Sequence, residues 1–276
     1  MKHDVINYWS EVKLDIIKDY AKAYSTVICG QKKASLHHVY VDAFAGAGQH
    51  ISKKTGEFVP GSPLNALNVN PPFKEHHLID LDRDKAKNLS NLCRDCNDVS
   101  VYEGNCNDIL LKQVFPKIRY EDYRRGLCLL DPYGLHLNWE VIQTAGKMKS
   151  MEIFLNFPVM DMNMNALWNN LDQANPTQVA RMNAFWGDES WKEAVYQPDL
   201  FGDPMKAGNS NELISKAFQA RLEDKNGAGF KYVPDPMPMR NKKNAIVYYL
   251  FFASHNDTGK GIVEQIFEKY RNRQGM

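Results

Sequence analysis

The chain has 276 residues, a formal net charge of +1 and 43% hydrophobic residues. That length buries a sizeable core in one large domain, or in a domain with a sub-domain. The near-neutral balance excludes a dedicated basic coat for nucleic acid, although the doublets Lys32-Lys33, Lys53-Lys54, Arg124-Arg125 and Lys242-Lys243 leave room for a local basic groove.

The first element predicted is a helix. Trp9, Val12, Ile16, Tyr20, Tyr24 and Val27 recur at three- or four-residue steps, with Lys13, Asp15, Lys18 and Asp19 between them. Gly30-Gln31-Lys32-Lys33 ends it, and it is expected to pack across the edge of the main domain. A strand over residues 36–42 follows and runs into Ala43-Phe44-Ala45-Gly46-Ala47-Gly48. Residues 49–60 read as a polar loop. Gly61-Ser62-Pro63 then opens a helix, with Ser62 as its cap. Strands are predicted at 76–80, 99–102, 126–131 and 151–157, with helices at about 85–92, 108–118 and 138–147 between them. The alternation implies right-handed βαβ units and a mostly parallel sheet covered on both faces. The continuously apolar fourth and fifth strands fit buried positions.

After Pro158 the rhythm changes. Residues 159–225 read as a helical insertion sub-domain rich in Met, Asn and Trp. Two last strands are expected at 229–233 and 245–253, separated by Pro234-Asp235-Pro236-Met237-Pro238, and a helix at 261–270 closes the chain. The main domain is thus expected over residues 1–158 and 226–276, with the N-terminal helix within residues 1–30.

The start of the chain shows no apolar signal region, and no apolar run is long enough to cross a bilayer. Five cysteines, an odd number without a secretion signal, suggest reduced thiols in a cytoplasmic protein. Cys93-Arg94-Asp95-Cys96 has metal-like spacing but no matching second pair, so no metal is expected. His37-His38 and His76-His77 read as strand-entry residues.

In an open parallel sheet, ligands bind beyond the carboxyl ends of the strands, where the strand order reverses. Four ends here carry polar signatures. The first has Asp42 and the Gly46/Gly48 turn, the second Asp80, the third Gly104-Asn105 and the fourth Asp131-Pro132-Tyr133-Gly134. Glycines let a ligand approach the backbone and permit a left-handed turn. The pattern fits a dinucleotide poorly. Ile51 stands where a third glycine or alanine is wanted, and Gly46 to Asp80 exceeds the usual spacing of about 20 residues. A carboxylate at the first strand end repels a pyrophosphate but attracts a cationic, phosphate-free ligand. S-adenosylmethionine is such a ligand.

Residues 42–48, Asp-Ala-Phe-Ala-Gly-Ala-Gly, resemble the first motif of class I S-adenosylmethionine-dependent methyltransferases. Asp131-Pro132-Tyr133 resembles the motif of enzymes that methylate exocyclic amines of nucleobases, with Tyr133 where a second proline is usual. Tyr40 through Gly46, Pro60-Gly61-Ser62-Pro63, Leu78 through Asp82, Leu129 through Leu135, Leu155-Asn156-Phe157-Pro158 and Leu250 through Ser254 together resemble the bacterial three-Cys-motif partner proteins over almost the whole chain. The resemblance implies a Rossmann-like class I methyltransferase fold and a partner protein bearing a three-cysteine motif. It also implies site residues. Asp42, Phe44, Gly46, Gly48, Asp80 and Asn105 would hold the cofactor. Asp131 and Pro132 would accept hydrogen bonds from a target amine in DNA or RNA, and Tyr133 would stack on its ring. A non-catalytic partner protein that keeps a nucleotide-like pocket is the alternative, motivated by the Met- and Trp-rich stretch from Met160 to Trp191. A nuclease or deaminase would need clustered ligands that the sequence does not supply.

Overall fold

The computed structural model describes residues 4–31, 35–198 and 204–271, so the doublet Lys32-Lys33 lies outside the described residues. Seven strands form the central sheet: β1 (His37–Asp42), β2 (Glu75–Asp80), β3 (Val99–Glu103), β4 (Arg124–Leu130), β5 (Met151–Phe157), β6 (Met237–Arg240) and β7 (Ile246–Ala253). Their spatial order is β3-β2-β1-β4-β5-β7-β6. Strands β1 to β5 pair in parallel, and β7 runs antiparallel to β5 and to β6. The order reverses between β1 and β4, which places a switch point beside Asp42.

Ten α-helices are described: α1 (Tyr8–Cys29), α2 (Ser62–Leu67), α3 (Arg83–Leu92), α4 (Cys106–Ile109), α5 (Trp139–Met148), α6 (Val159–Asn165), α7 (Pro176–Trp186), α8 (Trp191–Val195), α9 (Ser210–Glu223) and α10 (Asp257–Arg271). Alternate residues of each strand point to opposite faces. Val39, Val41, Cys128, Leu130, Ile153, Leu155 and Phe251 pack under α4 to α9, and Tyr40, Leu78, Leu127, Leu129, Phe154 and Phe252 pack under α1, α2, α3 and α10. The stretch from α6 to α9 shares the first of these cores. Its Phe218 ring lies 4.6 Å from that of Phe157 and 5.4 Å from that of Phe251. Met162, Met182, Trp186 and Trp191 are buried there, while Met164 and Trp168 are exposed.

Four expectations are corrected. The helix α1 lies across a face of the sheet and not at its edge, because its apolar stripe meets Tyr40, Leu127 and Phe154 of central strands. The sixth strand is Met237–Arg240 and not residues 229–233. Met237 and Met239 face inward, and Pro238 is tolerated because β6 is an edge strand. Residues 49–60 are not a plain loop. Gln49–Ser52 and Phe58–Pro60 form a hairpin, and Asp4–Ile6 pairs in parallel with its first strand. Finally, α2 is capped by Gly61, while the Ser62 hydroxyl turns to Asp42.

Candidate functional site

Asp42, Asp80 and Asp131 end three adjacent strands, β1, β2 and β4. The turn after β1 is held from both sides. The Gly46 N–H donates to Asp80 Oδ2 at 2.8 Å, and Asn88 of α3 donates to the Ala47 carbonyl at 2.9 Å. Gly46 and Gly48 have φ of +64° and +86°, so the turn needs residues without a Cβ. Asp80 Oδ1 also accepts from the Asp82 N–H at 2.8 Å, which starts α3.

Asp42 is fully buried. It accepts from the Phe44 N–H at 3.2 Å, from the Tyr40 hydroxyl at 3.3 Å and from Ser62. Burial pushes its carboxyl up to about 7 against those hydrogen bonds. Its carboxylate therefore shapes the turn from behind, while Phe44 is partly exposed on the other side. Asn105 caps α4, its Oδ1 accepting from the Asn107 N–H at 2.9 Å.

The end of β4 carries the most charge. Asp131 Oδ2 is ion-paired to the Lys13 ammonium from α1, and Oδ1 accepts from Asn156 Nδ2 of β5 at 2.9 Å. Lys13 also sits 5.2 Å from the centre of the Tyr248 ring. Tyr133 is exposed. Its hydroxyl donates to Asp4 at 3.4 Å, and the Lys85 ammonium lies 5.7 Å from its ring centre. Lys85 is itself 2.6 Å from the Asp4 carboxylate. Asp4 of the short N-terminal strand thus bridges Lys85, which follows β2, and Tyr133, which follows β4. Behind Tyr133, Gly134 has φ +62°, and a Cβ there would stand 2.8 Å from the Asp161 carboxylate.

The structure joins Gly46 to Asp80 directly and sets Asp131 on the neighbouring strand end. Lys13, Asn156, Lys85 and Asp4 complete the cluster and were not foreseen as site residues. A signal for Lys13 existed, since it is four residues before Ile17 and seven before Tyr20 and so shares their buried stripe. Among the described residues, no group of three or more His, Cys, Asp or Glu side chains is placed to hold a metal ion. All five cysteines are free thiols. No described helix is long and apolar enough to cross a membrane. A surface hollow of about 440 Å³, lined by Gln219, Lys231 and Arg271 among others, lies away from this cluster.

No protein-family model matches the chain, and no curated protein matches it. Among solved structures it is similar to the protein LPL1258 from Legionella pneumophila, assigned to family DUF519. The two are 12% identical, with a TM-score of 0.50 over 95% of this chain and 92% of that one. A putative methyltransferase from Thermobifida fusca (13% identity, TM-score 0.42, 88% of this chain and 79% of that one) is a weaker likeness. The methyltransferase domain of bacterial CtHen1 (10% identity, TM-score 0.40, 87% and 99%) is another. At such identities the likeness is one of fold. The fold is the Rossmann-like α/β fold with a mostly parallel sheet.

Proposed function

We propose that this chain is an S-adenosylmethionine-dependent methyltransferase that acts on an exocyclic amine of a nucleic-acid base. The observation that carries the reading is the environment of Asp131. Its carboxylate stands at the end of β4 and already receives two N–H donors, the Lys13 ammonium and the Asn156 amide. A carboxylate placed to hold N–H groups is what an amine acceptor needs.

The residues present fit the cofactor. The left-handed turn at Gly46 and Gly48 admits a close ligand. Asp80 keeps lone pairs for ribose hydroxyls beyond the two N–H groups it accepts. The cofactor supplies an activated methyl group on a sulfonium, so positioning is the main task left to the protein. Asp131 and the Pro132 carbonyl orient the amine. The exposed ring of Tyr133, with Lys85 beside it, offers a stacking surface for a base taken out of its stack. A three-Cys-motif protein as partner belongs to the same proposal.

Calorimetry with S-adenosylmethionine tests the cofactor, and the absence of saturable binding overturns it. Transfer of labelled methyl groups onto DNA, tRNA and rRNA pools tests the acceptor class, and no labelling of any pool overturns that half. Co-purification of the full chain with a co-expressed three-Cys-motif protein tests the partner. Failure to co-purify removes it from the proposal.

A further inference from the structure

His50 stands in the first strand of the hairpin that follows the glycine turn. Its Nδ1 is buried and meets no hydrogen-bond partner among the described residues. A buried polar atom left without a partner is costly, so its retention points to a group that arrives from outside. The ring covers the turn. Its Cε1 lies 3.9 Å from where a Cβ on Gly46 would stand, and its Nε2 lies 3.2 Å from where one on Gly61 would stand. Four charged groups bear on it: Asp4 of the N-terminal strand, Lys13 of α1, Lys85 of α3 and Asp131 at the end of β4. Two are negative and two positive, so they largely offset one another. Burial is the leading influence and holds the imidazole below its usual range, hence neutral near pH 7.

Both oxygens of Asp131 are already engaged. One of its oxygens faces an ammonium and the other an amide N–H. A neutral imidazole has one nitrogen with an available lone pair. We propose that His50 is the proton acceptor for the amine that Asp131 orients, a role that rests on the methyltransferase reading above. When the acceptor nitrogen uses its lone pair to form the new N–C bond, the S–C electron pair returns to sulfur. The nitrogen then carries one proton too many. His50 Nδ1 takes that proton and becomes an imidazolium. It passes the proton to water as the product leaves.

The test uses the full chain and the variants His50→Gln and His50→Ala. Calorimetry with S-adenosylmethionine is expected to give affinities within about threefold of the native chain. Labelled methyl transfer to single-stranded RNA and DNA oligonucleotide pools is expected to fall about 100-fold or more, with loss of the acid limb of the kcat–pH profile. Nitrogen-15 NMR of histidine-labelled protein is expected to show Nδ1 of His50 unprotonated at pH 7. Cofactor binding weakened more than tenfold with kcat retained makes His50 a binding group and overturns the proposal. So does an unchanged rate and pH profile, or a protonated Nδ1. A native chain that neither binds the cofactor nor transfers methyl overturns the parent reading, and this one with it. If the native chain binds but labels no pool, the protonation state of Nδ1 decides.

Discussion

The ammonium of Lys13 rests against the carboxylate of Asp131, joining the long N-terminal helix to the end of β4 across 118 positions of sequence. The two side chains are 9% and 24% exposed, so each charge depends on the other. Replacing Lys13 by Met leaves Asp131 with the Asn156 amide alone. A loss of about 2–3 kcal/mol is expected, somewhat less than for a fully buried pair because Asp131 keeps some solvent. Asp131→Asn strands the lysine at a similar cost. The double variant should lose less than the sum of the two, which urea denaturation in a double-mutant cycle will measure.

Asp80 links the glycine turn to the start of α3 through the N–H groups of Gly46 and Asp82. Asp80→Ala unties both ends and, on the proposed function, removes the acceptor for ribose hydroxyls. S-adenosylmethionine affinity, read by calorimetry, should fall about 10- to 100-fold. Asp80→Asn keeps one oxygen acceptor and should fall less.

The strands that build the cleft are legible in the sequence because burial on both faces makes them continuous apolar runs, as in β4 and β5. Their polar ends stand out by contrast. The last strands are harder. Residues 229–233 have strand-like composition, yet the Phe230 N–H bonds the Leu222 carbonyl at the end of α9, and Tyr232 makes a single bridge to Ser254. The true strand carries Pro238, which a local reading takes for a loop. The Asp4–Ile6 pairing with Gln49–Ser52 is a non-local contact between very short segments, with no period to betray it. Lys13 and His50 are found at the site through that packing and not through any motif.

Gly61 has no room for a side chain. A Cβ would stand 2.9 Å from the Gly48 carbonyl oxygen and 3.2 Å from His50 Nε2. The backbone oxygen accepts the Gly61 N–H at 2.8 Å and so cannot withdraw cheaply. Gly61→Ala should therefore cost about 1–3 kcal/mol by overpacking. It should also weaken cofactor binding by displacing the turn, whereas Gly208→Ala offers a control with open space around the added methyl and no left-handed backbone. Thermal melts with and without S-adenosylmethionine will separate the two effects.

Glu152 is buried within β5, where its carboxylate accepts the Tyr20 hydroxyl and a hydrogen bond from Ser254. Burial outweighs both and raises its carboxyl to about 7, so the folded chain holds this proton more tightly than the unfolded chain does. Stability from this group is therefore full below the ordinary glutamate range of about 4.5, declines as pH rises, and is gone above about 7. Asp42 acts in the same direction over nearly the same window. His38 and His77, lowered by burial to about 4, act oppositely and remove stability as pH falls below 6.5. Glu152→Gln keeps an acceptor for Tyr20 but has no charge to bury. Relative to the native chain it should gain about 1–3 kcal/mol at pH 8 compared with pH 5. Urea denaturation at the two pH values measures that difference, and equal gains at both would show that Glu152 does not carry the slope.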